Sequence, residues 1–197
     1  MAGRRILITG ASGCIGHYLS ETFIQHTDDE LFLLLRDRNK FKIPTDQRPN
    51  VNITIADLRD VDGLRPLLSP THCAVLVATG WGDLELDVTK TLELIQALDP
   101  QVCQQVVYFS TASILGRDET VLPEAKTLGT DYVKAKAICY EKLMTLDLGF
   151  PVFTVFPTLV VGGDRTKPDS HLSVGLPEVL KWSWLLRFLK TEGSFHF

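Results

Sequence analysis

No uninterrupted apolar run in this chain reaches the roughly 18 residues that a membrane-spanning helix needs. The longest candidate, residues 151–163, carries Pro151 and Pro157 and reads as a buried strand. Cysteine is scarce: Cys14, Cys73, Cys103 and Cys139 are scattered and form no Cys-x-x-Cys pair. That pattern predicts free thiols in a reducing compartment rather than a disulfide framework. His17, His26, His72, His171 and His196 stand at no metal-ligand spacing with them, so no metal site is expected. There is no excess of basic charge either. Lys and Arg number 20 against 24 Asp and Glu, for a net charge of −4 and a pI near 5.7. A nucleic-acid partner is therefore not expected, because phosphate binding needs a basic face. Only Met1-Ala-Gly and Arg4-Arg5 precede the first apolar run, with no apolar leader, so a cytoplasmic protein with no membrane partner is expected. Low-complexity segments and repeats at a solenoid period are absent. So is a Gly-x-Ser-x-Gly nucleophile elbow, which leaves a serine hydrolase without an anchor.

What is present is a core-forming chain. Apolar residues make up 45% of its 197 residues and charged residues 22%, enough for one domain, or one and part of a second. Apolar runs predict strands over Arg5–Thr9, Glu30–Leu35, Val51–Ala56, Ala74–Ala78, Gln105–Ser110 and Val152–Val155. Helical patterns lie between them at Ile15–His26, Val61–Leu68, Leu86–Leu98 and Thr130–Leu148. Continuous rather than alternating Val/Ile/Leu runs suit strands buried on both faces of a parallel sheet. Strand and helix in alternation then give an α/β fold, a Rossmann-like doubly wound parallel sheet with helices on both faces. After Gly162-Gly163 the chain turns polar, and Leu176–Leu189 reads as a further helix containing Trp182, Trp184 and Phe188. Residues 193–197 look like a strand that stops as it begins. Residues 1–163 are thus expected to form a dinucleotide-binding domain, and 164–197 the start of a truncated substrate lobe.

Thr9-Gly-Ala-Ser-Gly-Cys-Ile-Gly16 follows directly on the first predicted strand. Gly10 permits a tight turn, Gly13 leaves room for a pyrophosphate, and Gly16 lets the following helix pack on the strand. Bare amides at the helix start, at Gly13, Cys14, Ile15 and Gly16, would attract the anion with help from the helix dipole. Ile15, Leu19 and Phe23 recur every four residues and are expected to face the core. The turn lacks the Gly-Lys-Ser/Thr ending of a nucleotide triphosphatase, since His17 follows Gly16.

A second pattern is Tyr132-Val-Lys-Ala-Lys136, which puts a phenol and an ammonium one helical turn apart on a shared face. A nearby Lys favours the phenolate and should lower the Tyr132 pKa from about 10. Such a phenol can exchange a proton with a hydroxyl or carbonyl. Upstream, Ser110-Thr111-Ala112-Ser113 emerges at a strand's carboxyl end, where open α/β sheets place ligands. Tyr-x-x-x-Lys also arises by chance in many helices. The order of glycine turn, hydroxyl-rich strand end and Tyr/Lys helix within one winding sheet is what gives it meaning.

With Ala56-Asp57-Leu58, Phe109-Ser-Thr-Ala-Ser-Ile-Leu-Gly116 and Phe156-Pro157-Thr158, these motifs span residues 4–163. In that order the chain resembles the extended short-chain dehydrogenase/reductases, the NAD(P)-dependent epimerase/dehydratases. The resemblance implies that Tyr132 is the acid/base, Lys136 the residue that holds the nicotinamide ribose, and Thr111 the assisting hydroxyl, with Ser113 as the alternative. It also implies that Asp57 and Leu58 meet the adenine, Ala78 and Thr79 line the path to the nicotinamide ribose, and Pro157 packs near the nicotinamide. Two positions depart from the family pattern: Asp87 where Asn is frequent, and Phe156 where Arg commonly precedes the proline.

Arg36, after the second predicted strand, stands where an acidic residue would select NAD, and Arg38 could add a second positive group. NADP is therefore the expected cofactor, with NAD possible if Asp37 takes the ribose instead. The expected reaction is hydride transfer at a hydroxyl or carbonyl carbon of a sugar nucleotide or small ketone. A non-catalytic NADP-binding redox sensor or assembly module is the alternative, favoured by Asp87 and Phe156 and opposed by the intact Thr111, Tyr132 and Lys136. A homodimer through the helices carrying Leu92 and Ile138 is a further expectation.

Overall fold

The computed structural model describes residues 3–46 and 48–174. Six strands, β1 (Arg5–Thr9), β2 (Glu30–Leu35), β3 (Val51–Ile55), β4 (Cys73–Leu76), β5 (Gln105–Phe109) and β6 (Val152–Val155), form one sheet in the order β3-β2-β1-β4-β5-β6. All pairings are parallel. The order in which strands are added reverses between β1 and β4, and this switch point opens a crevice at the strands' carboxyl ends.

Apolar cores lie on both faces of the sheet, which is why its central strands carry unbroken Val/Ile/Leu runs. On one face Ile6, Ile8, Leu31, Leu33 and Val75 pack against Leu19, Phe23 and Ile24 of α1 (Cys14–His26). On the other, Leu7, Ala74, Leu76 and Val106 meet α2 (Val61–Leu68), α3 (Thr91–Gln96) and α5 (Asp131–Leu143). A five-residue helix, α4 (Pro123–Thr127), precedes α5. No described helix is long and apolar enough to cross a membrane.

Several local expectations are corrected. In α1 Leu19 and Phe23 do pack on the core, but the more deeply buried residues are Gly16, His17, Ser20 and Ile24. Gly16 sets this phase, because a Cβ there would collide with the Gly10 carbonyl oxygen and approach Ala11 Cα to 2.7 Å. β4 ends at Leu76 rather than Ala78, because the Val77 and Ala78 amides leave the ladder and donate to Thr9 Oγ1 (3.2 and 3.3 Å). The helix expected from Leu86 instead begins with a π turn over Glu85–Lys90 before α3. α5 stops at Leu143, and the next apolar residues, Leu146, Leu148 and Phe150, pack on the core beyond it. Leu92 and Ile138 also pack on that core. The expected helix Leu176–Leu189, the strand at 193–197, and Trp182, Trp184 and Phe188 lie outside the described residues.

Candidate active site

One cleft of about 560 Å³ runs along the carboxyl ends of the strands, within the size range of small-molecule sites. Gly10, Gly13, Cys14, Ile15, Arg36, Asp57, Leu58, Ala78, Thr79, Thr111, Tyr132, Lys136 and Pro157 all line it. Gly16 and Arg38 do not. Gly16 acts one layer below, in the helix–strand contact. Arg38 is turned aside because Asp37 caps a short 3₁₀ turn (Arg38–Lys40) by accepting from the Asn39 amide. The Arg38 guanidinium then donates to the Phe41 carbonyl (3.0 Å) and lies over the Phe41 ring. Lys40, from the same turn, lines the cleft with Arg36 instead.

The glycine turn has the shape of a phosphate cradle. Gly10 sits at φ 68°, and a Cβ there would stand 2.8 Å from the Ala78 backbone across the switch point. Gly13 forms the N-cap of the 13-residue α1 with no side-chain cap bond, so its first amides stay open toward the cleft. His17 braces the turn from below. Its Nδ1 donates to the Gly13 carbonyl (3.1 Å) and its Nε2 accepts from the Lys42 amide (3.1 Å). Burial lowers its pKa, so the ring is held neutral in this double role.

At the other end, β5 delivers Ser110 and Thr111 opposite α5. Thr130 starts that helix by accepting from the Val133 amide, which places Tyr132 and Lys136 one turn apart and facing the strand end. Lys136 is 3% exposed; its ammonium donates to the Phe109 carbonyl (2.8 Å) and lies over the Tyr108 ring. Burial lowers its pKa, an effect opposed by the negative charge of Asp87. The Lys136 ammonium is 6.0 Å from the Tyr132 ring centre. Contrary to the expected lowering, the Tyr132 pKa is raised, chiefly by burial, and a hydrogen bond with Thr111 only partly offsets this. Lys136 is engaged with a backbone carbonyl and does not bond the phenol.

Ser113 also lines the cleft, and its amide donates to Thr111 Oγ1 (3.3 Å). Ser110 Oγ is buried with no hydrogen-bond partner among the described residues, a donor or acceptor left for a ligand in the same cleft. Phe156 stacks edge-on against Tyr140 in a small apolar cluster with Ile114, so its departure from Arg serves packing. The cleft residues not foreseen include Lys40, Trp81, residues 159–160 and 168–172, and the apolar Leu34, Leu35, Val77 and Leu86. Trp81 is flanked by Gly80 and Gly82, a turn signal that marked its place but not the direction of its ring.

The open helix start, the Gly10 approach and the orphan Ser110 hydroxyl are features that a dinucleotide's phosphates and polar groups could use. Comparison with known proteins agrees with this fold. It resembles WbmH of Bordetella bronchiseptica, solved with NAD+ (TM-score 0.70, 18% identity, 90% of this chain and 62% of that one). It also resembles DesIV, a dTDP-glucose 4,6-dehydratase of Streptomyces venezuelae (0.67, 19%, 90% and 62%). A third likeness is to the UDP-N-acetylglucosamine 4-epimerase of Methanobrevibacter ruminantium M1 (0.66, 18%, 92% and 64%). This chain thus spans less than two thirds of the length of each of these proteins. No curated protein matches it in sequence. The profile of the NAD dependent epimerase/dehydratase family matches residues 6–171, most of the chain, and the chain belongs to that family.

Proposed function

We propose that this chain is an NAD(P)-dependent oxidoreductase or epimerase/dehydratase acting by hydride transfer at a hydroxyl or carbonyl carbon. The observation that carries the reading is convergence: Thr111, Tyr132 and Lys136 line the same cleft as the uncapped start of α1. The nicotinamide, when bound, supplies or accepts the hydride. The chain's own groups handle the oxygen and its proton. Tyr132, kept protonated by burial, gives its proton to a carbonyl oxygen as that oxygen gains charge. Thr111 donates a hydrogen bond to the same oxygen. Lys136 holds the strand end through the Phe109 carbonyl and presents positive charge to the ribose. Arg36 and Lys40 both line the cleft and neither is ion-paired among the described residues, which supports binding of the NADP 2′-phosphate. The sugar-nucleotide enzymes among the structural neighbours support that substrate class alongside small ketones. Residues 168–172 line the same cleft, which supports a substrate-side role for the segment that follows Gly163.

The test is a fluorescence titration with NADPH and NADH, followed by turnover over a panel of sugar nucleotides and ketones. Tyr132→Phe should lower turnover by about a hundredfold or more while leaving dinucleotide affinity within about twofold, less than the loss of one ordinary hydrogen bond. Unchanged turnover in that variant rejects the assignment. Dinucleotide binding by the wild type with no turnover of any substrate would favour the sensor or assembly module.

A further inference from the structure

The turn after β4 is built more heavily than a connection requires. Trp81 sits at φ 58°, in the left-handed region, and Gly82 follows at φ 102°. For a bulky residue this conformation is strained, and such outliers cluster at functional sites. The surrounding donors converge on one carboxylate. Asp87, only 2% exposed, accepts from the Thr79 hydroxyl (3.1 Å) and the Gly80 amide (2.5 Å) through Oδ1, and from the Gly82 amide (2.8 Å) through Oδ2. The Trp81 amide itself donates to Thr79 Oγ1 (3.2 Å). Every partner of Asp87 is a donor, so the position needs an acceptor at both oxygens. An Asn would set its NH₂ against either Gly82 or the Thr79–Gly80 pair, leaving a buried donor unsatisfied. The departure from Asn therefore has a local cause: the carboxylate closes the turn that presents Trp81.

The indole so presented meets the catalytic groups. Its ring lies 5.1 Å from the Tyr132 ring at 30° and 3.9 Å from the His171 ring. Trp81 nevertheless remains 52% exposed, and it lines the cleft that holds Thr111, with Leu159, Val160 and Leu172 on the same lining. A large ring left half open beside a proton donor is surface for a flat ligand. Among the described residues the lining cations are Arg36, Lys40 and Lys136. The first two follow β2, two strands away from β4, and Lys136 is bound to Phe109. Among the described residues, the Trp81 end offers aromatic and aliphatic surface rather than positive charge for a diphosphate.

We propose that Trp81, fixed by Asp87, is the substrate-selecting wall of this site and stacks a flat, uncharged aromatic carbonyl compound beside Tyr132. Asp87 is a positioning residue and Trp81 a binding one. The stacking rests on the hydride-transfer reading for its consequence, not for its occurrence, so the two are tested separately. The full chain, isotope-labelled at tryptophan, is titrated with acetophenone, cyclohexyl methyl ketone and UDP-glucose, with and without NADPH. The Trp81 indole N–H signal is identified by its loss in Trp81→Phe. Acetophenone should move that signal at about tenfold lower concentration than either competitor, the size of one aromatic stack with its buried area. In turnover, Trp81→Ala should cut the acetophenone preference over cyclohexyl methyl ketone in kcat/KM by about tenfold, chiefly through KM, and Trp81→Phe should restore part of it. Asp87→Asn should shift the Trp81 signal in the free protein and weaken acetophenone binding. The Trp81 variants carry the test even where the Asp87 variant does not fold. The proposal fails if UDP-glucose moves the Trp81 signal and acetophenone does not, if no probe moves it, or if Trp81→Ala leaves the preference unchanged. A Trp81 response to acetophenone without turnover of any probe keeps the wall and removes the hydride-transfer reading.

Discussion

Replacing Lys136 by Met removes one charge from the centre of the site while keeping much of the side chain's length. Three energies compete. The Phe109 carbonyl loses a charge-assisted hydrogen bond of about 1.5–3 kcal/mol. The ammonium's position over the Tyr108 ring contributes about 0.5–2 kcal/mol more. Against both stands the cost of keeping an ammonium almost wholly buried, several kcal/mol in effective terms, and visible in the lowered Lys136 pKa. The opposing contributions nearly cancel, so stability should change by no more than about 2 kcal/mol in either direction. For a chain of this size that is a Tm shift of at most about 4–8 °C. Function has no such cancellation. With no cation beside the ribose and no tie to the strand end below Tyr132, turnover should fall about a hundredfold or more, and dinucleotide affinity about tenfold. The assay pairs differential scanning fluorimetry with steady-state NADPH oxidation. Turnover within about twofold of wild type would refute the argument, because a misplaced or missing catalytic group costs far more. A Tm drop well beyond that range would show that the ammonium is chiefly a structural strut.

Two further outcomes follow from the same geometry. His17 is wholly buried between the Gly13 carbonyl and the Lys42 amide, with its folded-state pKa below the ordinary 6.5. Its neutral form therefore supports the fold above pH 6.5, and that support is lost as pH falls from 6.5 through the lower folded value. Thermal scans from about pH 7.5 down to about pH 5 should show the decline in wild type, and a shallower one in His17→Gln; equal slopes would remove His17 as its source. Arg36→Ser combined with Lys40→Ser should raise the Kd for NADPH relative to NADH by about tenfold or more, read by fluorescence titration at low salt. An unchanged ratio would show that these cations do not meet a 2′-phosphate.

Much of the fold could be read directly from residue patterns. β1 and β2 fall where their apolar runs are, because strands buried on both faces carry few polar positions to blur them. β6, at the sheet edge with Phe153 and Val155 exposed, is marked by its short β-branched and aromatic run alone. The failures share a cause, which is that a side chain or packing contact overrides the local pattern. Thr9 draws the end of β4 out of the sheet. The three-residue step from Leu143 to Leu146 imitates a continuing helix, although Leu146 and Leu148 reach the core from outside α5. The five-residue α4 carries too few turns for any periodicity, and only Pro123 at its start marks it. Glycine spacing and strand ends point to residues that share one cleft, because backbone geometry dictates where a strand end and its turn lie. Arg38 faces away from the cleft, and nothing local in the sequence tells which of two neighbouring cations a capping Asp37 turns aside. The Tyr132 proton affinity was also misread, because helical spacing brings Lys136 near but cannot reveal that its ammonium binds a carbonyl on β5.

The most direct measurement of the central claim is an isotope-edited nuclear Overhauser experiment on the full chain saturated with NADPH. The account predicts cross-peaks from the Tyr132 ring protons to the nicotinamide C4 protons, and from the α1 amides of Cys14 and Ile15 to the ribose C5′ protons that flank the pyrophosphate. A bound dinucleotide whose nicotinamide gives no contact with Tyr132 would contradict it.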